Sequence, residues 1–257
     1  MRPQDFEKPQ KRNPHQLTVR QHVFPQFLIK NFCDANGRVS FFEKSSTNTS
    51  LKTPSDASFC AYRVWDQQAE SGYMKDIEGD FERLSKSIFD KKTVQLSKED
   101  QEIATEMFCI WNLRHFYRKN PIPDQKLNGV TGLSYNYTKD EQEQLEKAHI
   151  GFARDDASIP GRQVVSVRIQ LQMFEIKKRL FSEGAWAIVT SKNADFLVPD
   201  NFNKGILPIS PRIALMFGCS AQEIDTDDVA LINGWAVNSS SDYYFGRDLT
   251  SCPIKQN

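Results

Sequence analysis

Between Gln101 and Arg118 the chain sets Ile103, Ala104, Met107, Phe108, Ile110, Trp111 and Leu113 around most of the circumference of a helix. A helix with one apolar stripe can lie on a surface, whereas one that is apolar nearly all round has to be covered from several sides. This segment, opened by a capping-box-like Ser97 and Asp100, is therefore the expected central helix.

Arg114 and His115 lie within it. A cation in such a place must be paired or must bind an anion, because stranding it costs several kcal/mol. The alternatives for Arg114 are an ion pair with a glutamate such as Glu70 or Glu78, or an anionic ligand. His115 points roughly 100° away around the helix and need not share that site.

The segments on either side supply the cover. Ile77, Phe81, Leu84 and Ile88 recur at helical spacing in 76–92, and Thr138 with Glu141 caps a short helix to about Ile150. Arg162 to Phe181 reads as a long helix with Val164, Val167, Leu171, Phe174 and Phe181 on one stripe, and Gly184 follows its end. Near the start, His22 to Phe32 is a short amphipathic helix with Pro25 in its first turn; Arg38 to Glu43 is β-like, and the Ser/Thr-rich stretch 45–58 reads as a surface loop.

The last third changes character. Trp186–Thr190, Phe196–Val198, Ile206–Ile209 and Ile213–Phe217 are short apolar runs between Asn, Asp, Gly and Pro, followed by a helix over Asp225–Val237 and a strand at Tyr243–Phe245. The expectation is an α+β fold, a helical lobe packed on a small C-terminal antiparallel sheet. The organisation expected is a basic, solvated arm over 1–21 and one domain over 22–257. Its lobes span about 22–182, mainly helical, and about 185–257, containing the sheet. The Pro- and Gly-bearing stretch Lys119–Tyr137 is the expected lobe boundary or interaction loop.

Lys plus Arg and Asp plus Glu both number 33, so no global field draws this chain onto nucleic acid or an anionic membrane, and any phosphate binding has to be local. The five cysteines are scattered, odd in number and never spaced Cys-x-x-Cys, which points to reduced thiols in a cytoplasmic setting. No apolar run approaches the roughly 18 residues of a membrane span. A Gly-rich phosphate loop, His-Glu-x-x-His, Gly-x-Ser-x-Gly and Gly-x-Gly-x-x-Gly are all absent, which disfavours nucleotide hydrolysis, zinc proteolysis and Rossmann dinucleotide chemistry. With four histidines, any triad or metal site must draw on His15, His22, His115 and His149.

Single polar residues stand out in apolar contexts. His22 beside Gln26 at a helix start suits positioning a water or a phosphate, or simply capping the helix. Asp200 with Asn201 after an apolar strand suits general-base or metal work, or a turn. Three segments in order, His22-x-x-Pro25-Gln26-Phe27-x-x-Lys30-Asn31-Phe32, Arg114 after its helical run, and Phe196 to Asn201 with Leu207 to Pro211, resemble the bacterial family called domain of unknown function four-two-three-eight. The resemblance runs from about His22 to Phe245; Pro199 and Phe202 stand where the family has Ser and Pro. It implies a bacterial or phage setting and assigns no activity.

The resemblance singles out His22, Gln26, Arg114 and Asp200 as one polar set, expected to converge. These types suit a metal-independent phosphodiesterase or RNase-like site, in which Arg holds a phosphate oxyanion while His and Asp move protons, with no cofactor and no metal. The competing class is a non-enzymatic module that binds RNA, a small anionic ligand or a protein partner in a defence or toxin system.

Overall fold

In the computed structural model of the protein, which describes residues 6–130 and 135–255, the segment expected to be central is covered on nearly every side. From the N-terminus the elements are β1 (Arg20–His22), α1 (Gln26–Asn31), β2 (Val39–Glu43), β3 (Asn48–Lys52), β4 (Cys60–Tyr62), α2 (Gln67–Ser71), α3 (Tyr73–Phe89), α4 (Lys98–Lys119), β5 (Gln125–Lys126) and α5 (Lys139–Lys147). They continue as β6 (Ser158–Ile159), α6 (Gly161–Glu183), β7 (Trp186–Ser191), β8 (Val198–Pro199), β9 (Ile206–Ser210), β10 (Ile213–Phe217), β11 (Gln222–Ile224), α7 (Thr226–Ser239) and β12 (Tyr243–Gly246). The fold is α+β, with 41% helix and 18% strand.

Helix α4 starts at a true capping box: the Ser97 hydroxyl accepts from the Asp100 N–H, and the Asp100 carboxylate accepts from the Ser97 N–H. Ala104, Met107, Ile110 and Trp111 are sealed from water, each large side chain worth about 1.5–3 kcal/mol of burial. Helix α3 lies along α4 through Met74, Ile77, Phe81, Leu84 and Ile88.

Helix α6 covers a second side of α4, but not through the stripe that its periodicity suggested. It packs through Val165, Ile169, Met173 and Leu180, while Val167, Leu171, Phe174 and Phe181 are 57%, 63%, 67% and 48% exposed. The helix carries two apolar stripes, and spacing alone cannot say which one faces the core.

The expected C-terminal antiparallel sheet is instead two four-stranded sheets. One, ordered β11-β7-β10-β9, comes from the last third and includes a parallel pair, β11 with β7. The other, ordered β3-β2-β12-β8, unites strands from both ends of the chain. Stacked Phe42 and Tyr244, 4.9 Å between centroids, sit opposite one another on β2 and β12 and pin that register. Strand β3 falls inside the expected 45–58 loop; its exposed Asn-Thr-Ser-Leu-Lys has no alternation to reveal it. Pro199 and Pro208 both lie in edge strands, where a missing N–H costs no ladder bond.

From Phe6 onward the segment expected as a solvated arm lies against the helical lobe. The Gln10 N–H donates to Glu143 at 2.8 Å, the Thr18 N–H donates to Gln67 at 2.8 Å, and Leu17 is buried. Arg2 and Asp5 of that arm, and Gly132 of the 119–137 stretch, lie outside the described residues. All five cysteines are free. Among the described residues no helix is long and apolar enough to cross a membrane.

Candidate functional site

The four residues singled out from the sequence fall into two groups against different sides of α4. His22, at the end of β1, is half-buried, and its Nε2 lies 3.0 Å from the Pro54 carbonyl. A carbonyl only accepts, so Nε2 carries the proton and Nδ1 is left as the acceptor. Burial lowers the His22 pKa, against the Pro54 hydrogen bond and Glu78, which raise it; Arg114 adds to the lowering. His22, Glu78 and Arg114 therefore share one neighbourhood. Gln26 opens α1, half-buried, and has no side-chain hydrogen bond to another described residue.

Arg114 is 2% exposed and paired with a carboxylate. Its Nη1 is ion-paired with Glu78, its Nε donates to the Met74 sulfur at 3.4 Å, and its guanidinium lies 5.4 Å from the Trp65 ring centroid. Burial opposes its charge, but Glu78 and Glu70 outweigh that and raise its pKa. Glu70, whose own pKa burial raises, accepts from Trp65 Nε1 at 2.5 Å. Of the two alternatives for Arg114, the ion pair with a glutamate is present.

Asp200 lies beside Trp111 and His115 of α4. Its carboxylate accepts from the Ser241 N–H at 2.9 Å and the Asp242 N–H at 2.7 Å, and its carbonyl accepts from Trp111 Nε1 at 3.1 Å. The carboxylate thus ties the end of β8 to the loop before β12 and does not meet Arg114 or His22 in a hydrogen bond. Among the described residues His22, Arg114 and Asp200 are thus held by different partners, and no direct hydrogen bond joins the three.

What Asp200 does approach is His115. The imidazole is 7% exposed, and burial lowers its pKa against the opposing charge of Asp200. Its Nε2 lies 3.2 Å from the Ser241 hydroxyl, which is exposed, and 3.3 Å from the Asn201 amide nitrogen. An amide nitrogen only donates, so Nε2 is the acceptor and the proton resides on Nδ1. The sequence supplied no reason to join Ser241 and Tyr243 to His115 and Asn201; Arg118, one helical turn beyond Arg114, is a signal that its spacing could have given.

The described residues contain six buried side-chain polar atoms without a hydrogen-bond partner, and four belong to this seam: His115 Nδ1, Arg118 Nη1, Asp242 Oδ2 and Tyr243 Oη. Such atoms are uncommon in folded proteins, because each costs about 1–3 kcal/mol. Arg118 stands 5.8 Å from the Tyr243 ring centroid, and Lys119 holds the other oxygen of Asp242 at 2.6 Å. Burial raises the Tyr243 pKa, so its hydroxyl remains a donor at neutral pH. Three of the four orphans are donors, and Ser241, with half-exposed Lys119 and Asp242, forms the rim toward solvent.

A second polar cluster surrounds a cavity of about 360 Å³ lined by Glu7, Tyr62, Arg63, Asp124 and Arg162. Here the charges are spent on one another. Arg63 and Arg162 both reach Glu146 at 2.7 Å, while Arg154, Arg162 and Lys139 converge on Glu7. Burial raises the Glu7 pKa, but Arg162 and Lys139 overcome it and hold the carboxyl at about 2.

Fold and site together define an α+β protein whose central helix carries one closed ion-pair network and one incompletely satisfied polar seam. Its sequence matches the family described as Protein of unknown function (DUF4238) over residues 20–210 of 257, and the chain belongs to that family. The match ends before Phe245, leaving Ser241, Asp242 and Tyr243 beyond it. Comparisons with curated proteins and with solved structures give no match.

Proposed function

We propose that this protein binds a phosphate-bearing ligand at the seam between α4 and β12. The observation that carries the reading is a set of buried donor atoms with no well-formed hydrogen bond, Arg118 Nη1, Tyr243 Oη and His115 Nδ1, on residues linked through Arg118, which adjoins both Tyr243 and His115, with the exposed Ser241 hydroxyl on the far side of the imidazole. An anion would satisfy them together, and a guanidinium is the side chain best suited to phosphate. The cations at the Glu7 cavity favour that site less, because carboxylates of the chain already hold them.

Phosphoester cleavage is the second reading, favoured by one distance. Ser241 Oγ lies 3.2 Å from Nε2 of a histidine whose lowered pKa keeps it ready to accept a proton. In this reading His115 takes the proton of Ser241 or of a water as its oxygen bonds to phosphorus, the ester P–O bond breaks, the imidazolium returns the proton to the leaving oxygen, and Arg118 stabilises the developing charge. It keeps the metal-independent RNase-like chemistry proposed for the family-like set, but moves it to His115, Arg118 and Ser241, with Asp200 holding the loop. A cytoplasmic setting, consistent with five free thiols, belongs to the same proposal.

Titration calorimetry with inorganic phosphate and with a short single-stranded RNA tests both readings. Arg118→Gln should weaken phosphate binding by about tenfold or more. Tyr243→Phe should also weaken it while leaving the ligand-free protein as stable as before or slightly more so, since an unsatisfied hydroxyl is removed. If the parent binds neither probe, or Arg118→Gln binds like the parent, the site reading fails. RNA that stays intact over a long incubation, with binding preserved, removes the cleavage reading alone.

A further inference from the structure

The outward stripe of α6 has a pattern that exposure by accident would not produce. Val164, Leu171 and Lys178 alternate with Val167, Phe174 and Phe181 at spacings of three and four residues, the repeat of a helix that packs against another helix. Four of these residues are roughly half to two-thirds exposed. Together they leave on the order of 400 Å² of apolar surface in water, as much as the largest patch of a typical monomer. The opposite stripe is already committed to α4, so this face has no covering element among the described residues.

We infer that this face is a homodimer interface in which α6 packs antiparallel against α6 of a second copy. The stripe is complementary to itself under a two-fold axis placed between Leu171 and Phe174. In that arrangement Leu171 meets Phe174 of the second copy, Val167 meets the stem of Lys178, and Val164 meets Phe181. Arg168 and Glu175, both exposed and on the same flank, come within about 3 Å of one another along the axis, giving two opposite-charge pairs. A parallel pairing would stack Lys178 on Lys178 and lose these pairs.

The area is consistent with this occupant. A stable interface takes about 800 Å² from each partner. The apolar residues supply about half of that, and Lys178 within the stripe with the exposed flanking residues Arg168, Gln170 and Glu175, along a 23-residue helix, supply surface for much of the remainder.

Sedimentation velocity on the full chain decides the matter. The parent should be dimeric at about 10 µM with a melting temperature that rises with protein concentration, and Phe174→Arg should be monomeric with a cooperative melt that no longer depends on concentration. Arg168→Glu and Glu175→Arg should each weaken dimerisation about three- to tenfold, and the double swap should restore it, a rescue that only a second copy explains. Leu171→Gln provides the same test if Phe174→Arg does not fold. A parent that is monomeric at about 100 µM, a Phe174→Arg or Leu171→Gln dimer, or a double swap as weak as the single variants overturns the inference.

Discussion

Replacing Arg114 with methionine separates a structural cation from a ligand-binding one. The guanidinium is 2% exposed and neutralises Glu78, with Glu70 close by. Methionine keeps the stem volume and removes the cost of burying the cation, but leaves two carboxylates facing an apolar gap. Breaking a buried pair from one side costs about 3–5 kcal/mol. The Glu78 side chain is 27% exposed and can rehydrate, so the expected loss is about 2–3 kcal/mol. For a chain of this size that lowers Tm by about 5–10 °C.

The deficit should also depend on pH. Without Arg114 the folded-state pKa of Glu70, already raised by burial, rises further. A carboxyl with a raised folded pKa contributes stability that is present below its unfolded pKa of about 4.3 and is lost as pH rises through the folded value. The gap between Arg114→Met and the parent should therefore be smaller at about pH 5 than at about pH 7. Urea unfolding at the two pH values, with phosphate binding measured in parallel, gives the answer. A loss under about 1 kcal/mol, or a pH-independent loss accompanied by failed phosphate binding, would falsify the structural assignment and return Arg114 to the ligand site.

Glu7→Gln should destabilise the docked N-terminal segment by about 1–2 kcal/mol after solvent screening, seen as faster proteolysis before Leu17. In the parent the contribution of Glu7 is present above its ordinary pKa and is lost as pH falls toward about 2. His22 and His115 both have lowered folded pKa values. Their contribution is complete above about pH 6.5 and is lost as pH falls through the folded values, so urea midpoints of a His115→Gln variant should fall less steeply below about pH 6.5 than those of the parent. Gly161→Ala should be strongly destabilising, because a Cβ there would lie 1.9 Å from the Ile122 carbonyl oxygen, and backbone cannot yield as a side chain can; a thermal melt within about 2 °C of the parent would contradict that packing.

The helical elements were legible because their causes are local. The capping boxes at Ser97 and Thr138 and the Asp225 cap act within one turn, and the apolar repeat of α3 is a one-dimensional pattern. The burial of Arg114 followed from its place on a helix apolar nearly all round. Its neutralisation by a glutamate was one of two chemically allowed answers, and both can be written down from the residues alone.

The remainder required the third dimension. Strands β2 and β3 join β12 from the other end of the chain, and no property of Val39–Lys52 specifies a partner almost 200 residues away. The inward and outward stripes of α6 are both apolar at helical spacing, so only contact with α4 chooses between them. The site divided for the same reason: Arg114 and His115 are neighbours in sequence, but the helix turns them toward different surroundings, Glu78 and Trp65 for one, Asn201 and Ser241 for the other. Periodicity and capping are short-range and can be read from the chain; strand partners, the buried face of a two-striped helix and the company a polar group keeps are settled by long-range packing.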